Sequence, residues 1–264
     1  MALKYLYLQT RASVMKRNFS IYFIIPLFVI ATTSCKTTYE SHSIQYETYR
    51  INDSLQKDES VISFLQPYSV SVNARMNEVV GVADISLDKK QPESTLGNFM
   101  VDAYFIMAKE KYAVKVDGAV MNYGGIRLTQ LPAGNVTNGK IFELMPFDNL
   151  LILQKLKGSV LQQVLDLAAI NGGWPIAGMS MQIKDKKAIN IKIDGQPIDL
   201  NATYTIANSD FLANGGDNLS MLKGIPQITN GYLMRNALFD YINKRKSEGK
   251  NIGANIENRV TNAE

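Results

Sequence analysis

The residues that most restrict this 264-residue chain are its one cysteine, Cys35, and its one histidine, His42. Both precede the first segment that we assign to a folded domain, so residues 55–264 contain neither a thiol nor an imidazole. A disulfide framework is therefore excluded there, and so are the usual zinc sites and catalysis by cysteine or histidine. The domain must instead be held by an apolar core, which the hydrophobic content of 46% allows.

The first 35 residues have the pattern of a secretion signal. A short basic stretch follows Met15, an apolar run covers residues 19–30, and small residues end at Cys35. The run is shorter than the roughly 20 residues of a membrane-spanning helix. A cysteine after small residues resembles a lipoprotein signal, so we expect residues 1–35 to be a signal with lipidation at Cys35 and translation from Met15. The alternative is an ordinary signal peptide beside a free cysteine.

Residues 36–54 are polar and without periodicity, which predicts a tether between lipid and domain, with His42 solvated within it. The net charge of +4 is mild, and the basic stretch at 244–250 is typical of a solvated helix end. We therefore expect no nucleic-acid partner, since such interfaces are larger and more basic. These features predict a lipid-anchored protein of the bacterial cell envelope that faces the periplasm.

Residues 55–264 mix helical and strand patterns in one unit. Apolar spacing predicts an amphipathic helix over 55–80 with a break or kink at Pro67, a helix over 96–111 capped by Ser94 or Thr95, and helices over 159–170 and 231–246. Strand patterns cover 80–85, 116–121, 150–157, 179–183, 189–193 and 204–207. We therefore predict one α/β domain, of the α+β kind in which mixed sheets are layered with helices.

Three loops have the composition of a ligand site. They are residues 122–127 (Asn-Tyr-Gly-Gly-Ile-Arg), 144–149 (Leu-Met-Pro-Phe-Asp-Asn) and 208–217 (Asn-Ser-Asp-Phe-Leu-Ala-Asn-Gly-Gly-Asp). Glycines let backbone amides approach a ligand, an arginine can bind phosphate or ribose oxygens, and exposed phenylalanines can stack on a base. Taken singly, each loop also has a structural explanation as a turn or as a hydrophobic plug.

Together the loops resemble the C-terminal domain of the 5′-nucleotidase family, as do Glu93–Asn98 and the segment 131–139. In that family two aromatic residues clamp the nucleobase, and the resemblance places them at Phe147 and Phe211. It also implies a role for Asn122 beside the base, for Arg127 near phosphate or ribose, and for Asp217 on the ribose hydroxyls. The glycines of the first loop, Gly124 and Gly125, would line the same site.

One part of the family pattern differs in this chain. Family members carry an arginine cluster before the helix that starts near residue 94, whereas this chain has Asp88-Lys89-Lys90-Gln91-Pro92. The expected substitute is Lys90, which would bind as a point charge without the two-pronged geometry of arginine.

The chemistry of the family belongs to an N-terminal metallophosphoesterase domain with two metal ions, which has no counterpart in this sequence. We therefore expect no catalytic residue, metal or other cofactor in this chain, and no activity of the chain alone. The first hypothesis is the nucleotide-recognising subunit of a split 5′-nucleotidase hydrolase. It would present nucleotides to a separate, metal-bearing metallophosphoesterase chain for phosphate-ester hydrolysis in nucleotide catabolism. The alternatives are a stand-alone nucleotide- or nucleoside-binding envelope lipoprotein, and a decayed module that binds nothing.

Overall fold

The computed structural model describes residues 43, 45–50, 52 and 55–263, and the chain divides into two units, 1–57 and 58–264. In the first unit the described residues are exposed and form no helix or strand. The predicted signal, the lipidation residue Cys35, most of the predicted tether and His42 lie outside the described residues. Within the part of the chain that is described, no helix is long and apolar enough to cross a membrane.

The described residues of the second unit form six α-helices and thirteen short strands. The helices are α1 (Glu59–Met76), α2 (Thr95–Tyr112), α3 (Asn138–Leu144), α4 (Gly158–Ile170), α5 (Asp210–Ala213) and α6 (Met234–Ser247). The strands are β1 (Val79–Ala83), β2 (Leu87–Asp88), β3 (Gly118–Val120), β4 (Gln130–Leu131), β5 (Gly134–Thr137), β6 (Leu151–Lys157), β7 (Ile176–Ala177), β8 (Met179–Lys184), β9 (Lys187–Ile193), β10 (Gln196–Pro197), β11 (Thr203–Ser209), β12 (Gln227–Ile228) and β13 (Val260–Asn262).

Two main sheets organise this unit. The larger has the strand order β12-β6-β11-β3-β7, and the smaller has the order β10-β9-β8-β13. Alternate residues of β3 and β11 face opposite sides of the larger sheet, so Ala119 and Ala207 enter a core with α2 and α6, whereas Val120 and Ile206 enter a second core with α4. The prediction of an α/β domain with layered mixed sheets and helices is confirmed.

The start of α2 shows how the sequence specifies this arrangement. The Ser94 hydroxyl accepts a hydrogen bond from the Gly97 amide at 3.1 Å, which caps the helix as the sequence predicts. A Cβ at Gly97 would lie 2.8 Å from a side-chain carbon of Pro175, so glycine allows the helix to approach the strand region closely. The helix then runs to Tyr112, one residue beyond the predicted range.

The first helix differs from its prediction at both ends. It begins at Glu59 rather than at 55, because Asp58 caps its first turn. It ends at Met76 rather than at 80. Pro67 lies within the helix and does not end it. All residues from Glu59 to Arg75 are exposed, so the apolar face that the pattern predicts packs on no core within the described residues.

Candidate functional site

The three predicted loops lie at one edge of the larger sheet because of how its strands pair. Strands β3 and β11 are parallel neighbours, with Ala119 opposite Ala207, so the loops that follow them leave the sheet at the same edge. Strand β6 is antiparallel to β11, and its first residue, Leu151, pairs with Ser209. The loop that precedes β6 therefore reaches that edge as well.

These loops enclose a cavity of about 230 Å³. Seven of the eight predicted binding residues line it, and Lys90 does not. The cavity is also lined by Asn149, Ser209 and three methionines, which the sequence analysis did not single out. The predicted residues in the lining are Asn122, Gly124, Gly125, Arg127, Phe147, Phe211 and Asp217.

The two phenylalanines of the cavity are partly open to solvent. Phe147 is 39% exposed and Phe211 is 44% exposed, so neither ring is a plug in the hydrophobic core. A Cβ at Gly216 would lie 2.5 Å from the Phe211 ring, so only a glycine lets that ring rest on the turn. The Arg127 guanidinium lies 5.4 Å from the centre of the Phe147 ring. Both rings are thus available to a flat ligand.

A hydrogen bond joins the first loop to the third. The Asn122 side-chain amide donates to Asp217 Oδ2 at 2.6 Å. Asp217 has a positive φ of 49°, a conformation that aspartate tolerates better than most residues, and it directly follows two glycines. The carboxylate is therefore held at the cavity, where its second oxygen can accept a hydrogen bond from a ligand hydroxyl.

The two lysines before α2 occupy different places. The Lys90 ammonium lies 3.5 Å from the Asp88 carboxylate, and its side chain is 72% exposed. The Lys89 ammonium instead donates to the Ile126 carbonyl at 2.8 Å and lies 4.1 Å from the centre of the Tyr123 ring. Partial burial and the nearby Arg127 lower the pKa of Lys89. The lysine that contacts the first loop is thus Lys89, and a binding role for Lys90 stays a prediction.

Two charged residues that sequence reasoning missed hold the second loop in place. Asp210 Oδ1 accepts hydrogen bonds from the Asn149 side chain and from the Leu150 amide, both at 3.0 Å. The buried Arg235 of α6 donates to the carbonyls of Met145 and Phe147, both at 3.2 Å. Arginines on helices are usually exposed, so the sequence gives little signal for this role.

The described residues do not fit a metal centre. No group of three or more histidine, cysteine, aspartate or glutamate side chains among them is arranged to hold an ion. The carboxylates beside the cavity are bonded within the protein: Asp148 to Arg235 at 2.5 Å, Asp210 to the second loop, and Asp217 to Asn122. No hydrolytic step can be derived from these groups.

Comparison with known proteins identifies the domain. Residues 72–224 match the family described as 5′-nucleotidase, C-terminal domain. The chain belongs to this family. The predicted resemblance is thereby confirmed, and the predicted loops at 122–127, 144–149 and 208–217 all lie within the matched range.

Individual relatives match this 5′-nucleotidase C-terminal domain over most of its length. Protein UshA of Yersinia enterocolitica is 28% identical over 196 residues, which is 72% of this chain and 35% of that protein. Protein UshA of Escherichia coli is 26% identical over 220 residues, which is 79% of this chain and 38% of that protein. The chain thus spans little more than a third of the length of these curated relatives.

Solved structures give the same assignment of the fold. The 5′-nucleotidase precursor from Thermus thermophilus superposes with a TM-score of 0.66 at 25% identity, over 78% of this chain and 43% of that chain. The NAD nucleotidase of Haemophilus influenzae superposes with a TM-score of 0.58 at 18% identity, over 78% of this chain and 42% of that chain. The second match supports the fold alone.

Proposed function

We propose that this domain binds a nucleotide or nucleoside by stacking the base between Phe147 and Phe211. In this arrangement Asp217 accepts hydrogen bonds from the ribose hydroxyls, and Arg127 lies on the side of the phosphate. The observation that carries the proposal is the meeting of two half-exposed phenylalanines from separate loops at one cavity, beside a carboxylate.

The size and lining of the cavity support this arrangement. Its volume of about 230 Å³ is below the ~300–1,000 Å³ of pockets that enclose a whole small-molecule ligand. We therefore expect the base to be enclosed and the phosphate to remain accessible at the mouth. Stacking on an aromatic side chain contributes about 1–3 kcal/mol for each base and tolerates different bases, since each has an aromatic face.

The domain is further proposed to be the recognition subunit of a split 5′-nucleotidase, with the divalent metal ions and the hydrolysis in a separate metallophosphoesterase chain. Support comes from the absence of histidine in residues 55–264 and from the lack of a metal-holding cluster among the described residues. Lipidation at Cys35 would anchor this subunit in the envelope. A partner anchored to the same membrane would meet it at a raised effective concentration.

Calorimetric titration of the chain with AMP and with adenosine tests the recognition proposal. Saturable binding is expected, and Phe147→Ala or Phe211→Ala should each weaken it by about 5- to 150-fold, the equivalent of ~1–3 kcal/mol. Phe64→Ala is a matched control, because Phe64 is an exposed phenylalanine on α1 that does not line the cavity. Absence of saturable binding by the unmodified chain would contradict the proposal and favour a decayed module.

Kinetics with a candidate metallophosphoesterase chain tests the split-enzyme proposal separately. Adding this domain should lower the KM for nucleotides, and the Phe147→Ala chain should have a smaller effect. An unchanged KM, together with intact adenosine binding, would contradict the split enzyme and favour the stand-alone binding lipoprotein.

A further inference from the structure

We propose that one face of α1 is the docking surface for the metallophosphoesterase chain, an inference that rests on the split enzyme proposed above. Five apolar residues recur on this face at helical spacing. All are at least half exposed; Phe64 is 70% exposed and Tyr68 is 65% exposed. We call this set the apolar stripe; its members are Val61, Phe64, Leu65, Tyr68 and Val72.

The helix is fixed to the domain at its C-terminal end. The Asn138 side chain donates to the Arg75 carbonyl at 2.9 Å, and the Asn138 amide donates to the Glu78 carbonyl at 2.9 Å. A Cβ at Gly139 would lie 3.1 Å from the Met76 carbonyl oxygen, so α3 packs closely against this end. The rest of α1, from Glu59 to Arg75, is exposed. Helix α1 is thus attached to the domain at one end, and none of the described residues buries the stripe.

The attachment of α1 is continuous with the proposed nucleotide site. Helix α3 begins where α1 is attached and is seven residues, or about 10 Å, long. The next residue, Met145, lines the cavity, and Phe147 follows two residues later. A chain that hydrolyses the phosphate ester of a bound nucleotide must border the cavity mouth, where the phosphate lies. The attached end of α1, at Met76, is therefore separated from the cavity by about the length of α3, a distance that one partner domain can span.

The composition of α1 favours a protein groove over a membrane or a second copy of this chain. Residues 60–74 carry no charged side chain, whereas helices that lie on membrane surfaces usually carry lysine and arginine on their polar face. The stripe spans less than two heptads, which is too short for a self-paired coiled coil. Pro67 also lies within this stretch of the helix. Apolar anchors at these spacings are typical of a helix that binds in the groove of another protein.

The stripe is also largely outside the part of the chain that the family match covers. That match begins at residue 72, and four of the five stripe residues precede it. None of the residues of α1 is buried in the domain. Burial in the domain therefore does not account for apolar side chains at these positions, whereas docking does.

Photo-crosslinking in the cells that make this protein tests the proposal. Benzoylphenylalanine would replace Phe64 or Tyr68 in the full chain, and Ser63 or Gln66 on the opposite face as matched controls. The stripe positions should crosslink to a chain that mass spectrometry identifies as a metallophosphoesterase and that hydrolyses nucleotides with a divalent metal. Crosslinks to a second copy of this chain, to lipid or to unrelated proteins, equal crosslinking from both faces, or no crosslink would each overturn the proposal.

A triple variant, Phe64→Ser with Leu65→Ser and Tyr68→Ser, separates docking from nucleotide recognition. It should weaken binding of the captured metallophosphoesterase by about thirtyfold or more, as loss of central anchors does. Its affinity for adenosine should stay unchanged, because α1 does not line the cavity. If the unmodified chain crosslinks as expected and binds no adenosine, nucleotide recognition fails and docking stands. If it binds adenosine and gives no crosslink, docking fails and recognition stands.

Discussion

Replacing Arg235 with methionine is expected to loosen the loop that carries Phe147. The guanidinium donates to the carbonyls of Met145 and Phe147, pairs with Asp148, and lies 4.2 Å from the centre of the Phe142 ring. A methionine would retain much of the apolar contact of the arginine stem and remove these polar contacts. The loop would keep its bonds to Asp210 and the backbone bonds that Leu144 and Asn149 accept from the amides of Arg127 and Met234.

The size of the effect follows from the geometry of these contacts. Both carbonyl bonds come from one nitrogen at 3.2 Å, so together they count as about one good charged hydrogen bond, worth ~1.5–2 kcal/mol. The ring contact adds about 0.5–1 kcal/mol. The Asp148 side chain is 78% exposed, so its ion pair contributes about 0.5 kcal/mol or less. We expect a total loss of roughly 2–3 kcal/mol, or a Tm lower by roughly 5–10 °C.

Urea unfolding followed by tryptophan fluorescence measures this loss. Trp174 is the one tryptophan of the chain and is 3% exposed, so its emission reports loss of the core. The Arg235→Met midpoint should fall with an unchanged slope, and adenosine affinity should fall with it. Asp148→Asn, which alters only the exposed ion pair, should shift the midpoint little. Equal midpoints and equal adenosine affinities for Arg235→Met and the unmodified chain would refute the assigned role of Arg235.

Three shorter predictions use the same preparations. Gly158→Ala should destabilise the domain by about 3 kcal/mol or more in urea unfolding, because its Cβ would lie 2.0 Å from the backbone oxygen of Asp199. Gly253→Ala is the control and should be neutral, because the space around Gly253 is open. Asp217→Asn should weaken adenosine about tenfold in calorimetry and leave the free base adenine unaffected, since only the ribose contacts the carboxylate in our proposal. A hydrogen bond from Ser60 lowers the pKa of Asp58, so this helix cap is complete above the ordinary carboxyl pKa and is lost as the pH falls through the lowered value. The protection of the first-turn amides of α1, measured as the exchange rate relative to an unstructured chain at the same pH, should therefore fall as the pH drops below the ordinary carboxyl pKa, and Asp58→Asn should remove this pH dependence of the protection.

The local elements of this domain follow from its sequence, whereas the meeting of its loops does not. The cap at Ser94 and the strand over 151–157 were predictable, because a capping residue and apolar periodicity act within one segment. The three loops converge because β3 pairs in parallel with β11, a strand some ninety residues later in the chain. No local pattern encodes that pairing, so the cavity could be predicted only through resemblance to a family.

The roles of individual side chains were harder to predict from the sequence than the helices and strands. The sequence Lys89-Lys90 offers two equivalent cations, and only the fold shows that Lys89 contacts the first loop while Lys90 points to Asp88. Arg235 has no motif, since its partners are backbone carbonyls far away in sequence. For α1, periodicity predicted a helix with an apolar face, and it could not reveal that every residue from Glu59 to Arg75 is exposed among the described residues.

The bonds within the cavity bear on how such a domain would assist a hydrolase. Asn122 with Asp217, and Asn149 with Asp210, hold the loops together through the protein's own groups, so the binding shape needs no ligand to form. The contacts proposed for the base and ribose involve parts of the nucleotide that do not change during hydrolysis of its phosphate ester. Binding energy of this kind is equal in the ground state and the transition state, so it lowers KM and leaves kcat unchanged. A split enzyme with this subunit should therefore gain most at low nucleotide concentration.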